Sequence, residues 1–281
     1  MFIPRSRLVA RLARSFGAGI LCAVVVAGSL RAADRDRLEA FLYVTGFGVA
    51  LDSIALAASD APAMLGLTTS DFGVTWSKVA NEVFDTGHMR EMGLDLLSGT
   101  LDDAMLNHAA GFYASDLGQL LVAVENASHL VEDDEAKRAE GEALLAKMET
   151  ERINILVAMG EAIDSGDSGV RAVQEIQVRF LLAASYAGVL GYEIDEAALR
   201  AVMAEGEEAL RDALDASALA NAAATYRDLS TEDLRAYVVA LEDPLMQQVY
   251  ALMNAVQYEI MANRFEVLAG RMAEMQPVED L

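Results

Sequence analysis

Apolar residues recur at three- and four-residue spacing along most of the chain, as in Leu234, Val238, Leu241 and then Leu245, Val249, Leu252, Val256. That is the period of one face of an α-helix, and it leaves little room for any other regular structure. Strand-like alternation of β-branched residues is scarce. Beyond the first 33 residues the only prolines are Pro62, Pro244 and Pro277, and Ala, Leu, Met and Glu, all strong helix formers, dominate. The chain is expected to be all-α.

The N-terminus follows a different rule. Arg5, Arg7, Arg11 and Arg14 precede an uncharged stretch from Phe16 to Leu30, and the small residues Ala27, Ser29, Ala32 and Ala33 lie at its end. A basic segment, a short apolar run and small residues at its end are the order of a secretory signal peptide, shorter than the roughly 20 residues a spanning helix needs. Cleavage after Ser29, Ala32 or Ala33 is compatible with this pattern. No Arg-Arg pair marks a twin-arginine route. Cys22 follows Leu21 rather than a small residue and reads as an ordinary apolar signal residue rather than a lipid anchor. Removing residues 1–33 takes away five arginines and no acid, which moves the formal net charge from −23 to about −28. Such a chain repels nucleic acid and anionic membrane surfaces, and its mature part has no cysteine for a disulfide, thiolate ligand or nucleophile. A periplasmic or secreted protein is expected, with no integral membrane segment once the signal is removed.

Two pairs of segments match within the mature region. Thr100–Leu121 against Asp228–Tyr250, at an offset of 128, pairs Leu101 with Leu229, Leu106 with Leu234, Leu117 with Leu245 and Gln119 with Gln247. Each copy opens a short helix with a polar cap, Asp102 or Ser230, flanked by apolar residues that can staple its first turn. Each short helix then meets a corner from which a long helix starts, capped by Ser115 in one copy and by Asp243 before Pro244 in the other. Gly118, in the first turn after Ser115, costs about 1 kcal/mol of helix propensity relative to Ala, so a close neighbour is expected there. Phe41–Leu51 and Phe180–Leu190 match at an offset of 139, and both read as buried central helices. The expected architecture is a helical bundle of two diverged repeats with pseudo-twofold symmetry. Its segments are a signal peptide 1–33, a first repeat 34–131, an acidic connecting helix and turn 132–167, a second repeat 168–276 and a tail 277–281. The difference in offsets places an insertion of about 11 residues in the first half, around Pro62.

The corner itself, "LDDAMLNHAAGFYASDLGQLLV", resembles the signature of the DUF2059 domains of exported Gram-negative proteins. There a helix ending in an aromatic pair meets a Ser-Pro-x-Gly-Gln type of corner. Phe112, Tyr113, Ser115, Gly118 and Gln119 match, whereas Asp116 stands where that family usually has proline. The resemblance implies a helical exported protein and supplies no catalytic residues.

Chemistry-bearing residues are few. His88, His108 and His129 all lie in the first half, and Glu125 stands one helical turn before His129, so those two can face one metal ion. Coordination needs more converging ligands than this pair, and helix residues without a metal are the commoner outcome. "DSGDSG", Asp164–Gly169, lacks the alternating acids of a calcium loop and has the composition of a turn that ends one helix and caps the next. "EDDEAKRAEGE", Glu132–Glu142, reads as a solvated helix face. Nucleophile elbows, zinc-protease pairs, phosphate loops and dinucleotide fingerprints are absent, so no catalytic, cofactor or metal residue is assigned.

Three functional classes stay open. One is an exported interaction or scaffold protein of the cell envelope with a protein partner of unknown identity. Another is a carrier of an apolar ligand between the two repeats, suggested by Met246, Met253, Met261, Met272 and Met275, since methionine lines adaptable apolar surfaces. The third is a metal-dependent or other hydrolase centred on His108, Tyr113 and His129.

Overall fold

The computed structural model describes residues 34–164 and 168–275, and the signal-peptide assignment, residues 165–167 and the tail lie outside that range. Helices begin where the polar caps stand. Asp34, Asp102, Ser115, Asp133, Asp195 and Ser230 each accept a hydrogen bond from a backbone N–H of the turn that follows. The order is α1 (Arg35–Thr45), α2 (Phe47–Ser53), a 3-10 segment (Ile54–Asp60), α3 (Ala61–Met64), a second 3-10 segment (Thr69–Thr75), α4 (Trp76–Val83) and α5 (Thr86–Ser98). There follow α6 (Asp103–Tyr113), α7 (Asp116–His129), α8 (Asp134–Leu145), α9 (Thr150–Ile163), α10 (Ser168–Tyr186), α11 (Glu196–Glu205), α12 (Glu207–Thr225), α13 (Thr231–Leu241) and α14 (Pro244–Met275). The described residues contain no strand, so the fold is all-α.

The two expected central helices are not continuous over their matched segments. Phe41–Leu51 is split between α1 and α2 at Gly46, whose φ of 77° is left-handed. Thr45 secures the break, its hydroxyl donating to Phe41 O at 2.7 Å and accepting from Phe47 N at 3.4 Å. The chain bends by 80° there. Phe180–Leu190 stops being helical after Tyr186, at a second left-handed glycine, Gly188. Gly188 N–H donates to Ser185 O and Val189 N–H to Ala184 O, the paired closure of a Schellman motif. Nor are these segments enclosed on every side, for Tyr43 is 87% and Tyr186 82% exposed.

The central position belongs to α14, which packs against α4, α5, α6, α9, α10 and α13. Its buried residues, from Met246 and Val249 through Met253, Ile260 and Phe265 to Met272, cover most of its circumference, and an exposed strip runs along Gln248, Ala251, Ala255, Glu259 and Gly270. Arg264 is buried among them, and its guanidinium donates to Val83 O at 3.4 Å, on the negative end of α4. Among the described residues no single helix is long and apolar enough to cross a membrane.

The acidic run Glu132–Glu142 does form a largely exposed helix, but α8 is more than a solvated connector. Gly141 is buried where a Cβ would lie 1.9 Å from Ala220 O, so α8 and α12 touch backbone to backbone. The rest of the expected connecting segment includes α9, which sends Ile155, Leu156 and Met159 into the core. Asp164, the residue that follows α9, caps α10 by accepting from the backbone N–H groups of Ser168 and Gly169.

Candidate functional site

The corner before α7 positions everything that follows. Ser115 Oγ accepts from Gly118 N at 3.1 Å, and a Cβ on Gly118 would lie 2.3 Å from Phe112 O and 2.5 Å from Tyr113 Cα. The glycine is therefore needed for the close approach of α7 to the end of α6. From this start α7 presents two faces, Gly118, Leu121 and Glu125 on one, and Gln119, Val122, Ala123 and Asn126 on another, each set at helical spacing.

The first face meets a cluster of phenols. Glu125 Oε1 accepts from Tyr226 at 2.7 Å and from Tyr237 at 2.9 Å. Tyr237 in turn lies 3.0 Å from the hydroxyl of Tyr113 and 2.8 Å from that of Tyr250, and Tyr113 and Tyr250 are hydrogen-bonded to each other. With Tyr237 donating to an ionised Glu125, two protons serve three phenol contacts, which works if one proton is shared between two oxygens. The tyrosines are 0–8% exposed. Burial pushes Glu125 above the usual carboxylate range, opposed by the hydrogen bonds from Tyr226 and Tyr237, and burial pushes Tyr113, Tyr226 and Tyr237 well above an ordinary phenol. These phenols keep their protons and bond mainly to one another, so the cluster is built to hold α6, α7, α13, α14 and the end of α12 together.

The second face of α7 lines a groove of about 780 Å³ with α1, α2 and α5. The break at Gly46 forms part of its lining, and Tyr43 stands exposed beside it. Asn126 Oδ1 is buried there without a hydrogen-bond partner, 2.7 Å from where a Cβ on Gly46 would be. Charges at the rim are only partly balanced, since one guanidinium serves two of the carboxylates. Arg35 bridges Glu39 at 3.2 Å and Glu91 at 2.5 Å, and Arg90 Nε donates to Asp52 at 2.8 Å. Groove and cluster share a wall, because Phe47, the residue after Gly46, meets the Tyr250 ring edge-on at 5.7 Å. A second, more open groove of about 660 Å³ runs between α9 and α13, lined by Ile155, Ala158, Val238 and Val239, with the Glu151–Arg235 ion pair among its lining residues.

The histidines are placed differently from the expectation of a shared centre. His88 is exposed near the start of α5, His108 Nε2 lies 3.2 Å from Asp243 Oδ1 at the cap of α14, and His129 ends α7 at the surface. Glu125 does not share a metal with His129, since its carboxyl is turned to Tyr226 and Tyr237. Among the described residues no group of three or more His, Cys, Asp or Glu is placed to hold a metal ion. Of the hydrolase candidates, Tyr113 lies in the phenol cluster, hydrogen-bonded to Tyr237 and Tyr250, and neither histidine bonds to it.

Sequence reasoning missed Glu125, Tyr226, Tyr237 and Tyr250 as one unit. The available signal was an acid interrupting the apolar run "LGQLLVAVEN", together with tyrosines on both sides of Pro244. No family model, curated protein or solved structure matches the chain.

Proposed function

We propose that the chain is an exported helical binding protein of the Gram-negative cell envelope that acts without catalysis and receives its partner in the groove beside Gly46. The observation that carries this reading is the groove of about 780 Å³ itself, with Tyr43 exposed in its lining and the buried phenol cluster behind its wall. A preformed recess lined by apolar residues with a few polar groups among them is the usual form of a binding site. The cluster supplies rigidity and no reactive group open to a substrate. The methionines that suggested an apolar-ligand carrier do not line either groove, and Met246, Met253 and Met272 are buried in the core.

The same reading includes the resemblance to DUF2059 domains and an origin in two diverged repeats. Support comes from the matched corners: Asp102 and Ser230 cap the short helices, Ser115 and Asp243 accept from the first turns of the long ones, and the staple residues Leu101, Leu106, Leu229 and Leu234 are all buried. The different break points at Gly46 and Gly188 mark how far the halves have diverged.

The test joins location to groove. Fractionation should find a shortened product beginning near Asp34 outside the cytoplasm. Capture from an envelope extract with wild-type protein should retain a molecule that Ala123→Trp, a bulky residue placed at an exposed position lining the groove, releases. A full-length cytoplasmic product would remove the export reading, and identical captures by both proteins would remove the groove.

A further inference from the structure

We propose that the phenol cluster is a proton-binding site: one proton on Glu125 closes its hydrogen-bond network, and loss of that proton to water loosens the join between α7 and the helices packed on it. The site stands whatever the groove receives.

The cluster is one proton short when Glu125 is ionised. Five close oxygen pairs link it, Tyr226 with Glu125, Tyr237 with Glu125, and the three pairs among Tyr113, Tyr237 and Tyr250. Each pair needs a proton between its oxygens, and the phenols of Tyr113, Tyr226, Tyr237 and Tyr250 bring one apiece. A protonated Glu125 brings the fifth. Its O–H donates to Tyr237, Tyr237 to Tyr250, Tyr250 to Tyr113 and Tyr113 back to Tyr237, while Tyr226 donates to Glu125. Every phenol then donates once and Tyr237 accepts twice, within the capacity of a phenolic oxygen. Three of these bonds run head to tail in a closed ring, where each polarises the next.

The surroundings favour the neutral acid. The groups that bond to Glu125 or to its partners are phenols, Tyr113 from α6, Tyr226 from the end of α12, Tyr237 from α13 and Tyr250 from α14. On α1 and α2, which also pack on α7, Arg35 and Arg37 pair with acids other than Glu125, and Asp52 pairs with Arg90. Arg152 of α9 donates to the backbone carbonyl of Tyr226 and Lys137 of α8 to that of Ser128, while His129 lies one turn along α7 beside Lys137. Among the described residues Glu125 thus has no ion pair to hold it as an anion. Burial acts in the same direction, pushing its carboxyl above the usual carboxylate range. Glu125 is half-buried, which gives the proton a route to water.

The experiment is a pH titration of the Glu125 carboxyl by 13C NMR, with Glu125→Gln identifying the signal, in wild type and in Tyr113→Phe, Tyr250→Phe and Tyr226→Phe. Neither Tyr113 nor Tyr250 touches Glu125, and replacing either removes one proton and two of the five pairs, so three protons serve three pairs around an ionised carboxylate. The midpoint should therefore fall by about one pH unit in each, the worth of about one hydrogen bond. A more apolar neighbourhood by itself would raise it. Tyr226→Phe removes a donor to Glu125 and leaves the phenol ring short, so its midpoint should rise. Protection of the α7 and α13 amides against hydrogen exchange should drop as the wild type passes its midpoint and stay level over the same range in Tyr250→Phe. Phenylalanine keeps each ring, and an unchanged amide spectrum elsewhere verifies the fold of each variant. A midpoint that holds or rises in Tyr113→Phe and Tyr250→Phe would place the proton outside the network and overturn the proposal. A wild-type midpoint at or below the ordinary 4.5, or amide protection that ignores it, would do the same.

Discussion

At Glu125 two opposed effects act on one carboxyl. Burial favours the neutral acid, and the phenols of Tyr226 and Tyr237 favour the anion by donating to it, with burial the larger influence. The folded-state pKa is therefore above the ordinary 4.5. Between that value and the raised one, the folded protein holds more protons than the unfolded chain, so stability falls as pH rises through the window and is not penalised below it. Glutamine stays neutral and keeps an oxygen for the same two donors. Urea unfolding across pH should show the wild type losing ground to Glu125→Gln as pH climbs above 4.5, and parallel curves would mean that Glu125 is not held as described. The neighbouring corner separates a cap from a contact. Ser115→Ala removes one exposed capping bond and should cost about 1 kcal/mol. Gly118→Ala forces a methyl into the backbone of α6 and should cost more, about 3 kcal/mol, in the same urea series. The cap was legible in the sequence because it depends on residues three apart. Gly118 was legible only as an anomaly, since the atoms it makes room for belong to another helix.

Helices show the same division. Caps, staples and the corners at Ser115 and Asp243 followed from local order, because a helix end must satisfy its free N–H groups with something close in the chain. The breaks at Gly46 and Gly188 did not, because an apolar stretch containing glycine is compatible with a continuous helix until the fold demands a turn. The seam between α8 and α12 is the sharpest case. Gly141 lies in a run of charges and reads as solvated, yet it admits the backbone of Ala220, whereas Gly160 in α9 has nothing within 4 Å of a built Cβ. Gly141→Ala should lower stability by about 2 kcal/mol or more through overpacking, while Gly160→Ala should raise it by up to about 1 kcal/mol through helix propensity. Matched denaturation curves of the two variants check both signs. Equal effects would show that the helices are not in backbone contact.

For the whole molecule, the deciding element is α14, whose apolar surface is closed by helices from both ends of the chain. Phe180 and Phe84 both meet Phe265 of α14 edge to face, at 5.6 and 5.3 Å, while Phe41 stacks on Phe47 beside Tyr250. Phe41 and Phe180 are 1% and 0% exposed. Phe41→Asp and Phe180→Asp would each bury a charge without a partner and should each cost several kcal/mol, enough to abolish the cooperative thermal transition. A native, soluble Phe41→Asp variant would show that the α1 and α2 region is an appendage rather than part of the core.

The all-α fold, the helix starts and the buried staples were determined by the sequence itself, since period, propensity and capping act over a few residues and need no partner. The tertiary structure decided what the polar residues are for. Tyr113, Glu125, Tyr226, Tyr237 and Tyr250 spread over 138 residues of chain, and nothing local tells a buried phenol network from five scattered surface residues. Asn126 and Tyr43 likewise become a groove only when the chain turns at Gly46, because a concave surface is a property of helices brought together.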